Sequence, residues 1–180
     1  MNIKIVIIIP LLFLICFNIK AQKAFVLNEH SQIVPLNQPI NLKIIHKRHV
    51  GCEITGDASN IIQQMSGSHI YIKCSPNESI KSWIIVPLNS QKKGKRIFLS
   101  GIAHFGGPIF PAIPLRYEQV YDDIYRIIPK IPFEEGEYSL FRIGDFYPVE
   151  VYDFRIDNSI SSTLSIPSNK SIVVQIQALR

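Results

Sequence analysis

The sequence predicts an all-β protein, an antiparallel β-sandwich behind an N-terminal export segment. Three observations predict it. Short apolar or alternating runs, rich in Ile, Val, Tyr and Phe, recur along the chain as a pleated, half-buried surface prefers. Turn residues punctuate them, as at Gly56-Asp57, Ser75-Pro76-Asn77, Lys93-Gly94, Glu135-Gly136 and Gly144-Asp145. Helical periodicity is nearly absent, and only Asp57 to Met65 could form a short helical turn.

The runs define the expected strands in order: Ala24 to Leu27, Ile40 to His46, Cys52 to Thr55, Ile70 to Cys74, Trp83 to Pro87, Ile97 to Ala103, Ile124 to Ile128, Tyr138 to Ile143 and Val149 to Ile156. Many short strands with polar turns read as a sandwich or barrel. The sandwich is expected over residues 22–157. Within it, Gly106 to Pro114 is apolar, yet its three prolines forbid a central strand. It must pack over the sandwich or present itself to a partner, with Phe110 the candidate contact. Residues 158–180 form a Ser-, Thr- and Asn-rich extension ending in the alternating run Ile172, Val174, Ile176, an edge strand or a loosely held tail.

Phe133-Glu134-Glu135-Gly136-Glu137-Tyr138 is the most specific local pattern. In immunoglobulin-like sandwiches a tyrosine at the start of a late strand bonds back to upstream backbone and fixes a corner. Gly136 gives the turn its freedom and Tyr138 takes the corner position, so the sandwich is expected to be immunoglobulin-like. Trp83, the single tryptophan, is expected in the core.

At 47% hydrophobic and 18% charged, the 180 residues are too apolar for a disordered chain and enough for one domain. Met1 to Lys4 precede a nearly unbroken apolar run from Ile5 to Ile19, followed by Lys20-Ala21-Gln22, so residues 1–21 read as a cleaved signal peptide. A membrane anchor is the rival reading, although ~15 helical residues span only ~22 Å of a ~30 Å hydrocarbon core. A lipoprotein is a third, through Cys16. Loss of Lys4 and Lys20 takes the net charge from +5 to +3. Export and this modest charge together argue against nucleic acid. The charge is also divided, with basic residues in excess up to Leu115 and acidic ones beyond it.

Export would bring Cys52 and Cys74 to an oxidising compartment, where a disulfide closing about 22 residues would contribute roughly 3 kcal/mol. Two buried free thiols are the alternative. No C-x-x-C supports a redox or zinc motif.

Tyr125-Arg126-Ile127-Ile128-Pro129, Gly136-Glu137-Tyr138 and Val151-Tyr152-Asp153-Phe154-Arg155-Ile156-Asp157 resemble the C-terminal half of uncharacterised secreted immunoglobulin-like sandwich proteins of Gram-negative bacteria. Those combine a G-E-Y corner with a closing strand similar to Y-D-F-x-[IV]-D. The resemblance implies a periplasmic or cell-surface protein and transfers no catalytic residue.

Residue chemistry offers few alternatives. His46, His49 and Cys52 invite a metal reading, but a strand points His46 and His49 to opposite faces, and only a turn could bring them together. His104 stands alone beside Gly106-Gly107. Adjacent acids at Asp122-Asp123 and Glu134-Glu135 diverge on strands, and Asp153 and Asp157 lie ~13 Å apart, beyond the ~5 to 9.5 Å of a glycosidase pair. Asp57, Asp145 or Asp157 could hold calcium at a turn, although the EF-hand pattern is missing. No G-x-S-x-G, H-E-x-x-H, Walker A loop or G-x-G-x-x-G occurs. The charge run Lys92, Lys93, Lys95, Arg96 is expected at a hairpin tip, with Gly94 supplying positive φ and the cations free for weak contact with a membrane surface.

These observations lead to an exported, non-catalytic module without cofactor, whose partner is another envelope protein and whose contact elements are Phe110, Ile172, Val174 and Ile176. The alternative is a metal- or carboxylate-dependent hydrolase of envelope polymers, for which His46, His49, Asp153 and Asp157 would have to converge.

Overall fold

The computed structural model describes residues 23–27, 33–36, 38–39, 41–46, 49–56, 59, 62–63, 70–91, 94–101, 109–145 and 147–157. The leader 1–21, the extension with Ile172, Val174 and Ile176, and Asp57, Lys92, Lys93 and His104 lie outside them.

The described residues are nearly all-β. The strands are β1 (Ala24–Leu27), β2 (Ile33–Pro35), β3 (Leu42–His46), β4 (Val50–Thr55), β5 (Ile62–Gln63), β6 (Ile70–Lys73), β7 (Trp83–Pro87), β8 (Asn89–Gln91), β9 (Lys95–Leu99), β10 (Leu115–Tyr121), β11 (Ile124–Pro129), β12 (Gly136–Ile143) and β13 (Pro148–Ile156). One turn of 3-10 helix, Ile80–Ser82, precedes β7 and is capped by the Ser79 hydroxyl, which accepts from Lys81 N at 3.3 Å. At Ile62–Gln63 a short strand pairs parallel with Arg155–Ile156, where the sequence suggested a helical turn. Every other strand pairing is antiparallel.

The strands form three sheets: a first sheet β10-β11-β6-β1-β2, a middle sheet β5-β13-β12-β7, and a third sheet β3-β4-β9-β8. The middle sheet is buried on both faces, which follows from its side-chain alternation. Tyr138, Leu140, Tyr152, Phe154 and Ile156 pack with Trp83 and Ile85 against Ala24, Val26, Ile70, Ile72 and Ile127 of the first sheet. The intervening residues Phe141 and Val151, with Val86, pack against Cys52, Ile54 and Phe98 of the third. Hence Tyr138 to Phe141 of β12 and Val151 to Phe154 of β13 are buried at every position, as strands covered on both sides must be.

Connections shape the layers. Pro87-Leu88 carries the chain from β7 in the middle sheet to β8 in the third, with Leu88 N donating to Glu137 O at 2.8 Å. The β8–β9 hairpin turns at Gly94, whose φ is +62°. The Pro-rich segment covers the outer edge of β7: Ile113 N donates to Ile85 O at 2.8 Å, and Tyr117 Oη of β10 donates to Trp83 O at 2.7 Å. That edge is thus closed to a further strand.

Cys52 and Cys74 are free and buried, which corrects the expected disulfide. Cys52 belongs to the core between the middle and third sheets, and Cys74 to the core between the first and middle sheets. The middle sheet separates them.

Candidate functional site

Period-two alternation on β9 turns Arg96 inward with Phe98, into the layer facing the middle sheet. There Arg96 is 3% exposed. Its Nη1 donates to Asp153 Oδ2 at 2.6 Å and to Glu137 Oε2 at 2.8 Å, while Nε donates to the Gly56 carbonyl at 3.2 Å. Glu137 and Asp153 share one face of β12 and β13, in the register Glu137↔Arg155 and Ser139↔Asp153. Ser59 completes the cluster, its N–H donating to Glu137 Oε2 at 3.0 Å and its hydroxyl to the Asp153 carbonyl at 3.1 Å. Arg155 lies 4.0 Å from Glu137 and 3.2 Å from Asp157. Burial pushes the neighbouring Cys52 thiol far up, and the Asp153 charge adds to it, so the thiol stays protonated.

This arrangement corrects the reading of Arg96 as a membrane-facing cation. Lys95, one residue earlier, faces out and donates to Glu53 Oε1 at 2.9 Å, a bond that holds the Glu53 carboxyl below its usual range.

A second network gathers around Glu78, whose side chain is 7% exposed. Glu78 accepts from Trp83 Nε1 at 3.1 Å, Ser75 N at 3.1 Å and Lys23 Nζ at 3.2 Å, and pairs with Arg142 Nε at 2.8 Å. Glu150 bridges the same two cations, at 3.1 Å from Lys23 and 2.8 Å from Arg142. Burial opposes the Glu78 charge, but the Ser75 N–H and the two cations outweigh it and hold the carboxyl below its ordinary value. Nearby Cys74 is pushed up to about 11, by burial first and the Glu78 charge second.

The corner is built on Tyr138, whose hydroxyl donates to the Glu134 carbonyl at 2.8 Å. Gly136 opens β12 opposite Ile156 with φ +156°. The Tyr138 ring stacks on Phe154 at 5.6 Å and tilts against Phe133 at 4.9 Å.

The remaining candidates disperse. His49 Nδ1 sits 3.0 Å from the Ser100 carbonyl oxygen. Among the described residues no three His, Cys, Asp or Glu side chains gather as metal ligands would. Phe110 is half-buried and packs edge-on against Phe98 and Phe141, at 6.0 and 5.2 Å. Its neighbour Ile109 is 68% exposed.

Sequence reasoning missed both networks. The signal for Arg96 was its place two residues before Phe98, and that for Glu137 its place four before Phe141, each on the inward face. Glu78, set in a turn, carried no comparable signal. Chemically, each buried carboxylate of both clusters is held by a cation, a geometry suited to binding layers together. The chain matches no protein-family model, no curated protein and no solved structure.

Proposed function

We propose that the protein is an exported, non-catalytic β-sandwich module of the Gram-negative cell envelope, acting at the periplasm or cell surface as a binding or structural component. The Arg96 network carries this reading. Asp153, an acid that the hydrolase would need free, is paired with a buried guanidinium that also holds Glu137. The hydrolase alternative needs His46, His49, Asp153 and Asp157 to converge, and the last three are each held by a different partner: Ser100, Arg96 and Arg155. The apolar run from Ile5 to Ile19 supports export.

Expression of the full chain in a Gram-negative host, followed by osmotic-shock fractionation and intact-mass measurement, tests the proposal. We expect release in the shock or surface fraction with a mass beginning at Gln22. Cytosolic protein retaining Met1 would overturn it.

A further inference from the structure

We infer that the free edge of β10 pairs antiparallel with β10 of a second copy of this chain, joining two five-stranded first sheets into one. The inference goes beyond the module reading and does not depend on export. Hydrogen-bond alternation defines the edge. Lys130 N donates to the Pro114 carbonyl at 2.8 Å, so Pro114 and Lys130 form a hydrogen-bonded pair. With the register Arg116↔Ile128 and Glu118↔Arg126, the backbone groups of Arg116 and Glu118 then turn to β11. Those of Leu115, Tyr117 and Gln119 turn away from it, and none of the three has a further backbone partner among the described residues.

Charge selects a second copy as the occupant. A two-fold axis at Tyr117 sets Tyr117 opposite itself and Leu115 opposite Gln119, each supplying the outward N–H and C=O that a hydrogen-bonded pair needs. The same axis sets Arg116 opposite Glu118, twice, in the non-hydrogen-bonded positions where side chains come closest. Glu118 is held at 2.5 Å by Arg126, its β11 neighbour, and Arg116 is exposed with no ion-pair partner among the described residues. In the pair, each Glu118 stands between Arg126 of its own copy and Arg116 of the other. Tyr117 does not obstruct the axis, since its ring packs on the core and its hydroxyl donates to Trp83 O at 2.7 Å. Charged side chains commonly guard an edge by repulsion, but opposite signs two residues apart attract in this register.

The other edges are poorer templates. The Pro-rich segment covers β7, and β2 has at an outward position Pro35, which lacks an N–H. β5 has two residues and β8 three. β3 has five, but self-pairing about its central Ile44 sets Lys43 opposite Ile45 and matches no charge.

Sedimentation equilibrium of the mature full chain, from micromolar to millimolar concentration, tests the inference. The mass is expected to rise from one chain to two. Arg116→Glu sets like charges opposite each other at both pairs and should raise the dimer dissociation constant about tenfold, as should Glu118→Lys. Mixing these two variants makes both pairs opposite in sign again, and a heterodimer of wild-type strength is expected. Gln119→Pro removes an outward N–H and leaves the β11 ladder intact, so it should weaken the dimer, whereas Gln119→Ala should not. An unaltered thermal transition shows that each variant folds. A chain monomeric throughout, whether another strand fills the edge or none does, overturns the inference. So does a dimer unchanged by either Arg116→Glu or Gln119→Pro, or a mixture no stronger than its components. The export reading stands or falls by fractionation instead.

Discussion

Arg96 of β9 and Asp153 of β13 meet at 2.6 Å across the layer between the third and middle sheets, with Glu137 of β12 at 2.8 Å from the same nitrogen. A guanidinium this buried loses most of its hydration, and among the described residues the two carboxylates and the Gly56 carbonyl replace it. The ion pairs add little net stability over an apolar core, but removing one partner leaves uncompensated buried charge. Arg96→Ala is expected to destabilise the fold by about 3 to 5 kcal/mol in urea unfolding. The double variant R96M/D153L should recover part of that loss. A loss below about 1 kcal/mol for R96A, the scale of an exposed pair, would show that the cluster is solvated.

Tyr138→Phe isolates the corner bond. The ring contacts with Phe133 and Phe154 remain, and only the donation to Glu134 O disappears. Because Glu134 is exposed, water can take over its carbonyl, so the expected loss is about 1 kcal/mol. Tyr138→Ala also removes the ring and should cost about 3 to 5 kcal/mol. Equal losses for the two variants in chemical denaturation would contradict this division.

Much of the fold could be read from alternation. Trp83–Pro87 and Ala24–Leu27 have the expected limits, and the Gly94 hairpin stands where the charge run placed it. Strands of other character were missed. Asn89–Gln91 is polar and exposed at each position, and Leu115–Tyr121 interleaves Arg116, Glu118 and Gln119 with its apolar residues. Assignment of strands to a third sheet was also hidden, because long-range pairing leaves no local trace. Arg96 was misread for a related reason. A run of four cations looks solvated, yet one of them shares its face with Phe98, and period-two alternation outweighs composition there.

Separate cores for Cys52 and Cys74 lead to a thiol prediction. The thiolate is the reactive form, and burial raises both thiols above their ordinary range. Ellman's reagent at pH 8 should react negligibly with the native mature chain and with both cysteines once it is unfolded without reductant. Absence of thiol after unfolding would mean that the cysteines are bridged.

Glu78 sets the acid limit of the second network. Its folded carboxyl titrates below the ordinary 4.5, so its contribution is fully present above that pH and is lost as pH falls through the folded value. Lys23 titrates above its ordinary 10.5, because its bonds to Glu150 and Glu78 outweigh burial, so its share persists below 10.5 and fades only as pH rises past it. Between these limits Glu78 and Lys23 both keep their charges. Glu78→Gln removes the titrating charge and weakens four interactions, including those of Trp83 Nε1 and Arg142. It should destabilise the fold by about 2 kcal/mol at pH 7, with the difference from wild type shrinking below pH 4 as the native carboxyl protonates. Thermal unfolding from pH 3 to 8 reads both effects, and a difference that stays constant on acidification would exclude Glu78 as the titrating group.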